Sequence, residues 1–187
     1  KCAEYCYNVA LKNSCSFVDA PVSGGESGAI NGTLTAMCGG DEEVFSRSLA
    51  VISNYCKSIN LMGGSGSGQL TKMVNQICIA GVLQGLAEGV YFAQKADLDI
   101  EKVIKAIGKG AAQSWQMYNR AITMGRSEYN FGFAVDHMRK DLNIVLKASK
   151  KFDISLSVVE MVDEFYAELQ SSGGGRLDTS SLLKRLK

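Results

Sequence analysis

The sequence predicts a mainly α-helical protein in which a short α/β segment precedes a longer all-helical segment. Short β-type runs bounded by glycine occur before Met62, and none follows it. The stretch Gln69 to Lys95 then has the length and composition of one long helix. Apolar residues recur at helical spacing through the rest of the chain. We therefore predict an α/β domain over residues 1–63 and a helical domain over residues 64–187.

The α/β segment begins with a predicted helix, Lys1 to Asn13, in which apolar residues recur at helical spacing. Three short strands are predicted in the runs "SFVDAPV", "TLTAMCGG" and "SINLMG", and a loop in "SGGESGAING". Asp41 is a predicted N-cap, because acidic residues follow it in the first helical turn, where the helix dipole favours negative charge.

The long helix is predicted to be central, because its apolar residues do not keep to one stripe. Gly81, Gly85 and Gly89 recur every four residues along it. Since a glycine within a helix costs about 1 kcal/mol relative to alanine, three in register predict a close crossing with another helix. The run from Phe133 to Phe152 is predicted as an amphipathic helix. Predicted capping residues of the later helices are Asp99, Ser114, Ser157 and Asp178.

Composition excludes several classes of protein. The 187 residues are 46% hydrophobic and carry a net charge of +1, which fits a globular core and offers no basic footprint for nucleic acid. The longest uncharged stretch, Met73 to Ala87, is too short to span a bilayer. Residues 1–16 contain no apolar core of a signal peptide. We expect neither nucleic acid nor a membrane as a partner.

Six cysteines are present, and none forms a C-x-x-C pair. His137 is the only histidine, so a zinc site is poorly supplied and no metal is expected. The cysteines are interpreted as reduced thiols, in the cytoplasm or, for a eukaryotic protein, in the mitochondrial matrix.

The run "APVSGG" is the first motif with chemical potential. Pro21 fixes a turn at the end of a predicted strand, and Ser23, Gly24 and Gly25 follow with little side-chain cover. Successive backbone amides of this kind bind the oxygens of a carboxylate or phosphate. An ordinary strand-to-loop turn has the same composition, so both interpretations stay open.

The second motif, "GGSGSGQLTKMVNQ", runs from a glycine-rich loop into a helix with a lysine near its start. The positive end of the helix dipole disfavours a cation there. Either another group compensates, or Lys72 has a chemical role. Lys72, Asn75 and Gln76 share a helix face, and a partly buried amine at this end is a suitable proton shuttle, with two amides to orient a hydroxyl. A solvated lysine is the alternative.

Two further patterns have weaker signals. The glycines of "GGSGSG" do not form a pyrophosphate loop, because G-x-G-x-x-G and the acidic residue about 20 positions later are missing. The neighbours Lys140 and Asp141 in "MRKDL" lie on the amphipathic helix, and such a pair is most often exposed charge.

In order along the chain, these motifs resemble those of the β-hydroxyacid dehydrogenase family, with 6-phosphogluconate dehydrogenase as a more distant member. The similar runs are "FVDAPVSGGESGAINGTLTAMCGG", "GGSGSGQLTKMVNQ", "MRKDL" and "GGGRLDTSSLL", and the resemblance covers essentially all 187 residues. It implies an all-helical C-terminal domain of the 6-phosphogluconate dehydrogenase type around a long central helix. The segment before it would be the last α/β part of a Rossmann domain.

The resemblance also implies an activity: NAD- or NADP-dependent oxidation of small 3-hydroxy acids, or reduction of the matching semialdehydes. Lys72 would then exchange the proton of the substrate hydroxyl. The resemblance assigns the substrate to Ser23, Gly24, Gly25, Asn75 and Gln76, and the cofactor to Phe133, Lys140 and Asp141. It further implies a homodimer or homotetramer formed through the helical domain.

One departure from the family is large. The front part of the family's Rossmann domain, with its dinucleotide fingerprint, is not in this sequence. We therefore expect the chain alone to hold NAD(P) poorly. A non-catalytic oligomerisation or binding module of the same fold is the alternative to an enzyme.

Overall fold

The computed structural model describes residues 2–187, whose contacts divide the chain into two compact units. The first is Lys1–Asn75 and the second is Gln76–Lys187, with the division inside the long helix α4, Ser67–Lys95. The predicted boundary near residue 63 precedes this division and stays a prediction. The fold is mainly α-helical, as predicted, with a single three-stranded sheet among the described residues.

The first unit contains the sheet, in the order β1-β2-β3. β1 is antiparallel to β2, and β2 is parallel to β3. The strands are β1, Val22–Ser23; β2, Leu34–Cys38; and β3, Cys56–Leu61. The helices are α1, Cys2–Lys12; α2, Gly25–Ile30; and α3, Glu42–Ile52. α2 is a short helix in a stretch predicted as loop.

The predicted strand "SFVDAPV" is interrupted in the structure. Asp19 forms an isolated antiparallel bridge with Gly39, and the regular strand begins only at Val22. Pro21 lies between them, and its carbonyl accepts from the Met37 amide at 3.0 Å. Proline has no amide to donate, so the segment runs beside β2 without a continuous ladder.

A small apolar core fills the first unit. Ala36 and Cys38 of β2 are fully buried, and residues of α3, β3 and the segment before β1 pack around them. Burial raises the pKa of the Cys38 thiol and also that of the Cys56 thiol, so both are small apolar core residues.

The second unit contains helices that follow one another along the chain. They are α5, Ile100–Ile107; α6, Trp115–Gly125; α7, Val135–Ser149; and α8, Ser157–Leu169. A 3₁₀ turn, Lys150–Phe152, follows α7, and a π-type turn, Gln170–Gly174, follows α8. The last element is the 3₁₀ segment Thr179–Leu186.

Most of the predicted helix caps are confirmed. Asp99, Ser114 and Asp178 each accept a hydrogen bond from a backbone amide in the first turn that follows. Asp41 occupies the N-cap position of α3, but its carboxylate accepts from the Tyr7 hydroxyl instead. The Ser157 cap is wrong: Leu156 is the N-cap of α8, and Ser157 is already helical.

The C-terminal segment belongs to the core of the second unit. Leu182 and Leu183 are almost completely buried, and the Tyr166 hydroxyl of α8 donates to the Thr179 carbonyl at 3.0 Å. Burial raises the pKa of Tyr166 well above its usual value. This hydrogen bond therefore joins α8 to the chain end with a hydroxyl that stays protonated.

Within residues 2–187, the glycine stripe of α4 makes no close crossing of the predicted kind. A Cβ added at Gly85 or Gly89 would meet no atom within 4 Å, and one at Gly81 would approach only Val158, at 3.9 Å. The stripe lines a groove of about 430 Å³ whose opposite wall includes Ile100 and other apolar residues of α5. The small residues open a surface groove in this unit instead.

The length and composition of α4 also suit a membrane span, and it is the single helix of residues 2–187 for which this holds. Core helices of globular proteins share both properties, so one such helix is weak evidence for a span. Leu83 and Ala87 are fully buried within the protein, as core positions are.

Glycine is required where α4 begins, because the helix start meets the sheet backbone there. A Cβ on Gly68 would overlap the Met37 carbonyl oxygen and lie 2.8 Å from Asp19 Oδ2. On Gly39 a Cβ would lie 2.8 Å from the Gly68 amide nitrogen. The backbone at the start of α4 therefore contacts the backbone of β2 at Met37 and that of Gly39, the residue after β2.

We predict that Gly68→Ala lowers the free energy of unfolding by about 3 kcal/mol, because its methyl group meets backbone that cannot rotate away. Gly64→Ala in the same loop is the matched control, since a Cβ there has no neighbour within 4 Å. The control should stay within about 0.5 kcal/mol of the parent. Urea unfolding monitored by circular dichroism compares the two, and equal losses would contradict the close approach at Gly68.

Candidate active site

The start of α4 is held by a buried carboxylate that the sequence motifs did not reveal. Asp19 is only 3% exposed; its Oδ1 accepts from the Gly66 amide at 2.6 Å and its Oδ2 from the Gln69 amide at 3.0 Å. These amides lie at the helix start, where backbone donors lack intrahelical partners and the dipole is positive. Asp19 therefore caps α4 from a segment almost fifty residues earlier in the chain.

Lys72 lies one turn beyond this cap. It is half-buried, as is Asn75, which follows on the same face of α4. The Asp19 carboxylate opposes the positive end of the dipole, so a compensating group for a cation in the first turns does exist. The Asp19 carboxylate thus makes a lysine tolerable near the start of α4. Its presence does not exclude a chemical role for Lys72.

The predicted anion-binding turn is bare backbone, as its composition indicated. Gly24 has φ 130° and Gly25 has φ 62°, conformations that disfavour side chains, and both residues are exposed. A Cβ on Gly24 would lie 2.9 Å from Leu34 Cδ2, whereas one on Gly25 would meet nothing within 4 Å. Ser23, the last residue of β1, pairs with Thr35 of β2, and this pairing fixes the start of the turn.

Asp19 connects the turn and the lysine helix within the first unit. It lies four residues before Ser23 on the segment that pairs with β2, and its side chain binds the start of α4. The glycine turn, Lys72 and Asn75 are therefore parts of one folded unit that share one buried anchor.

In the second unit, three predicted site residues form a hydrogen-bonded chain. Gln76, which is 2% exposed, donates from Nε2 to Asp141 Oδ2 at 2.7 Å. The other carboxylate oxygen, Oδ1, lies 3.1 Å from Lys140 Nζ. Asp141 is 16% exposed and Lys140 64% exposed. The pair is therefore not two solvated charges, because Asp141 connects the exposed ammonium to a buried amide.

Phe133 is held by a second buried carboxylate. Its backbone amide donates to Asp178 Oδ2 at 2.9 Å, and its ring centroid lies 5.8 Å from that of His137. Asp178 is 1% exposed and pairs with Arg120 at 3.2 Å. A side chain on Gly132, where φ is 70°, would overlap the Asp178 carboxylate. Sequence analysis identified Asp178 only as a cap and missed its hold on the turn before α7.

A dinucleotide fits these residues only in part. Asp19 already fills the start of α4 with negative charge, so "GGSGSG" cannot receive a phosphate there, which agrees with its exclusion as the pyrophosphate loop. Phe133 and Lys140 offer an aromatic ring and an exposed cation, groups suited to a nicotinamide ring and a phosphate. The described residues suit contacts to part of the cofactor, not the whole of it.

Family models match both parts of the chain. Residues 66–186 match the model described as NAD-binding of NADP-dependent 3-hydroxyisobutyrate dehydrogenase, and residues 2–64 match the NAD binding domain of 6-phosphogluconate dehydrogenase. The chain belongs to the β-hydroxyacid dehydrogenase family. The predicted family is confirmed, and both matched β-hydroxyacid dehydrogenase models describe NAD-binding domains.

Several individual proteins are similar to this β-hydroxyacid dehydrogenase chain. An oxidoreductase of Shewanella frigidimarina is 58% identical over 92% of the chain and 59% of its own length. The 2-hydroxy-3-oxopropionate reductase of Escherichia coli is 37% identical over 91% of the chain and 59% of its own length. The structure of 3-hydroxyisobutyrate dehydrogenase from Mycobacterium tuberculosis with L-serine has a TM-score of 0.89 and 26% identity, covering 99% of this chain and 66% of that one.

The chain thus spans a little more than half the length of these curated relatives. Its part of the family fold contains the lysine helix, the glycine turn and the helical unit. The activities in the names of these relatives are the activities of those proteins.

We predict that Asp19→Ala lowers the free energy of unfolding by about 2 kcal/mol or more, because two amides at the start of α4 lose a charged acceptor. Asp19→Asn, which retains one acceptor oxygen, should lose less. Asp41→Ala is the matched control, an exposed carboxylate at the start of α3 that makes no cap bond and accepts only from the Tyr7 hydroxyl at the surface. It should lower the free energy of unfolding by about 1 kcal/mol at most.

Urea unfolding of the parent and the three variants measures these differences. Equal losses for Asp19→Ala and Asp41→Ala would contradict a capping role for Asp19.

Proposed function

We propose that the whole protein is an NAD(P)-dependent oxidoreductase of small 3-hydroxy acids or the matching semialdehydes, similar to 3-hydroxyisobutyrate dehydrogenase. The observation that supports this most is the combination of family membership with a lysine on a helix anchored by the segment that leads into the glycine turn. Relatives named 3-hydroxyisobutyrate dehydrogenase-like, from Arabidopsis thaliana, and 2-hydroxy-3-oxopropionate reductase support the substrate class.

In the proposed reaction each group has one task. The backbone at Ser23, Gly24 and Gly25 binds the substrate carboxylate, because consecutive amides without side-chain cover match its oxygens. Asn75 and Gln76 orient the reacting hydroxyl. Lys72 takes the hydroxyl proton during oxidation and returns it when the aldehyde is reduced.

The nicotinamide cofactor, when bound, accepts or supplies the hydride. We assign Phe133 and the Lys140–Asp141 pair to the cofactor side of the site. The substrate is a small acid in this proposal, since the two glycine runs contain no arginine or lysine for a substrate phosphate.

We predict that Lys72→Ala in the whole protein lowers kcat by about 100-fold or more, the usual range for a lost general acid–base group. Lys72→Arg should be similarly inactive, because a guanidinium keeps the charge and does not release a proton near neutral pH. Lys57→Ala, which removes an exposed lysine of β3, is the control and should keep full activity.

Steady-state oxidation of 3-hydroxyisobutyrate, followed by nicotinamide absorbance, measures kcat for the three variants. A loss below about tenfold in Lys72→Ala, equivalent to about 1.4 kcal/mol, would contradict proton transfer by Lys72.

A second function, self-association through the helical unit, is favoured by one specific feature. The groove along Gly81, Gly85 and Gly89 is apolar, and large apolar residues close to it in sequence are exposed: Phe92 is 72% and Ile107 is 41% exposed. Glycine at this spacing permits a close helix–helix approach. We propose that a second copy of the chain covers this groove, in a homodimer or homotetramer.

We predict that Gly85→Leu lowers the assembly state, because the new side chain fills the groove from the surface and meets nothing inside the unit. Lys105→Leu on the exposed side of α5 is the matched control. Sedimentation equilibrium measures the mass of both variants and of the parent. An unchanged mass for Gly85→Leu would rule out this face as the interface.

A further inference from the structure

Two cysteines lie on one face of the helix α1. Cys2 and Cys6 are four residues apart in Cys2–Lys12, and side chains at this spacing are neighbours on a helix surface. Their thiols are in hydrogen-bond contact. Cys2 is exposed and Cys6 is half-buried, so a small reagent in solution can reach the pair. These two residues therefore form an accessible dithiol, which we call the α1 dithiol.

The two thiols of the α1 dithiol differ in their surroundings. A cysteine reacts as its thiolate, so a raised pKa leaves less of the reactive form near neutral pH. Desolvation, followed by the contact with Cys2, raises the pKa of the Cys6 thiol. Cys2 is the more exposed of the two. An oxidant from solution therefore meets Cys2 first, and Cys6 is the neighbour that reacts second.

A regular helix holds the α1 dithiol slightly too far apart for a bond between the two sulfurs. Residues four apart on a helix have their Cβ atoms about 5–6 Å apart, whereas a disulfide brings its Cβ atoms to about 3.5–4.5 Å. Closing the bond must therefore draw the turn between Cys2 and Cys6 out of regular helical geometry. A disulfide that distorts the backbone is also more easily reduced. The pair is therefore suited to a reversible bond.

The turn enclosed by the α1 dithiol carries Glu4, which lies against the loop before α4. A Cβ on Gly66 would be 3.5 Å from Glu4 Cγ. The Gly66 amide donates to Asp19 Oδ1 at 2.6 Å, and this is one of the two bonds that hold the start of α4. A change in the turn between the cysteines therefore reaches the Asp19 carboxylate through two contacts, Glu4 with Gly66 and Gly66 with Asp19.

We propose that Cys2 and Cys6 form a reversible disulfide that withdraws Glu4 from Gly66 and thereby loosens the hold of Asp19 on α4. The inference goes beyond the proposed function and does not rest on it. In reducing compartments, disulfides are usually transient and serve catalysis or redox sensing. The α1 dithiol is then a redox-sensitive modification site that acts on the start of the lysine helix.

The oxidant in this proposal is a small disulfide of the glutathione class. The Cys2 thiolate attacks one of its sulfurs, which forms a mixed disulfide and releases one glutathione thiolate. The Cys6 thiol gives its proton to solvent, attacks the Cys2 sulfur and releases the second glutathione thiolate. Two protein thiols are thus oxidised to one disulfide, and one small disulfide is reduced to two thiols.

Mass analysis of the whole protein tests whether the bond forms. The native protein is treated with glutathione disulfide, alkylated and digested with trypsin, which leaves both cysteines in the peptide Cys2–Lys12. We expect this peptide to be unalkylated and two hydrogens lighter than the reduced peptide. A peptide that is alkylated on both cysteines, or that carries glutathione in place of the internal bond, would overturn the proposal.

Matched variants separate the pair from single thiols. Cys6→Ser should stop at the mixed disulfide and retain glutathione on Cys2. Cys15→Ser is the control, because Cys15 is an exposed thiol of the same unit whose Sγ donates to the Asn13 carbonyl at 3.4 Å. This control should form the internal bond to the same extent as the parent. Loss of the bond in Cys15→Ser would overturn the pairing of Cys2 with Cys6.

Backbone hydrogen exchange tests the coupling to α4. In the oxidised parent, the Gly66 amide should exchange about tenfold faster than in the reduced parent, while the amides of the β2–β3 ladder keep their protection. Dithiothreitol should restore the slow rate. Cys6→Ser, treated with the same oxidant, should keep the rate of the reduced parent. An unchanged Gly66 rate in the oxidised parent would overturn the proposal.

Glu4→Ala tests the route of this coupling. Without the side chain that lies against Gly66, oxidation should change the exchange rate of the Gly66 amide by about twofold at most. Asn8→Ala, at an exposed position of α1, is the matched control and should keep the full response. A full response in Glu4→Ala would overturn the proposed route. These measurements require neither cofactor nor substrate, so their outcome is independent of the proposed function.

Discussion

The buried carboxylate of Asp19 is the constraint on which the lysine-bearing helix depends. Removing a charge from water is costly unless hydrogen bonds and fixed dipoles replace the water. Here the Gly66 and Gln69 amides and the positive end of α4 replace it. The same contact joins the segment before the glycine turn to the start of α4. It therefore fixes the start of the helix that carries Lys72. The glycines around Asp19 follow from this contact, because the carboxylate and the backbones of β2 and α4 leave no room for a side chain at Gly39 or Gly68.

The second unit uses the same arrangement with different residues. Asp178 is buried, accepts from the Phe133 and Ser180 amides, and pairs with Arg120. The carboxylate fixes a glycine turn on one side and the C-terminal segment on the other. In each unit, therefore, a buried aspartate binds backbone amides and sets the position of residues that we assign to the site.

Local sequence predicted the features that depend on near neighbours, such as the extent of α4 and the caps at Asp99 and Ser114. Motif order predicted the family. Asp19 was missed because its partners are 47 and 50 residues away, although an acidic residue inside the apolar run "FVDAPV" is a signal, since buried carboxylates need partners. The Gln76–Asp141 bond likewise joins residues 65 positions apart, so it could not be predicted from near neighbours. The glycine periodicity of α4 showed a shared face, but not what covers that face.

Hydrogen exchange at the Gly66 and Gln69 backbone amides measures the Asp19 contact directly. Our account predicts that both amides are protected in the native protein and that Asp19→Ala removes this protection while amides of the β2–β3 ladder stay protected. Exchange of these two amides at the rate of an unstructured chain in the unmodified protein would contradict it.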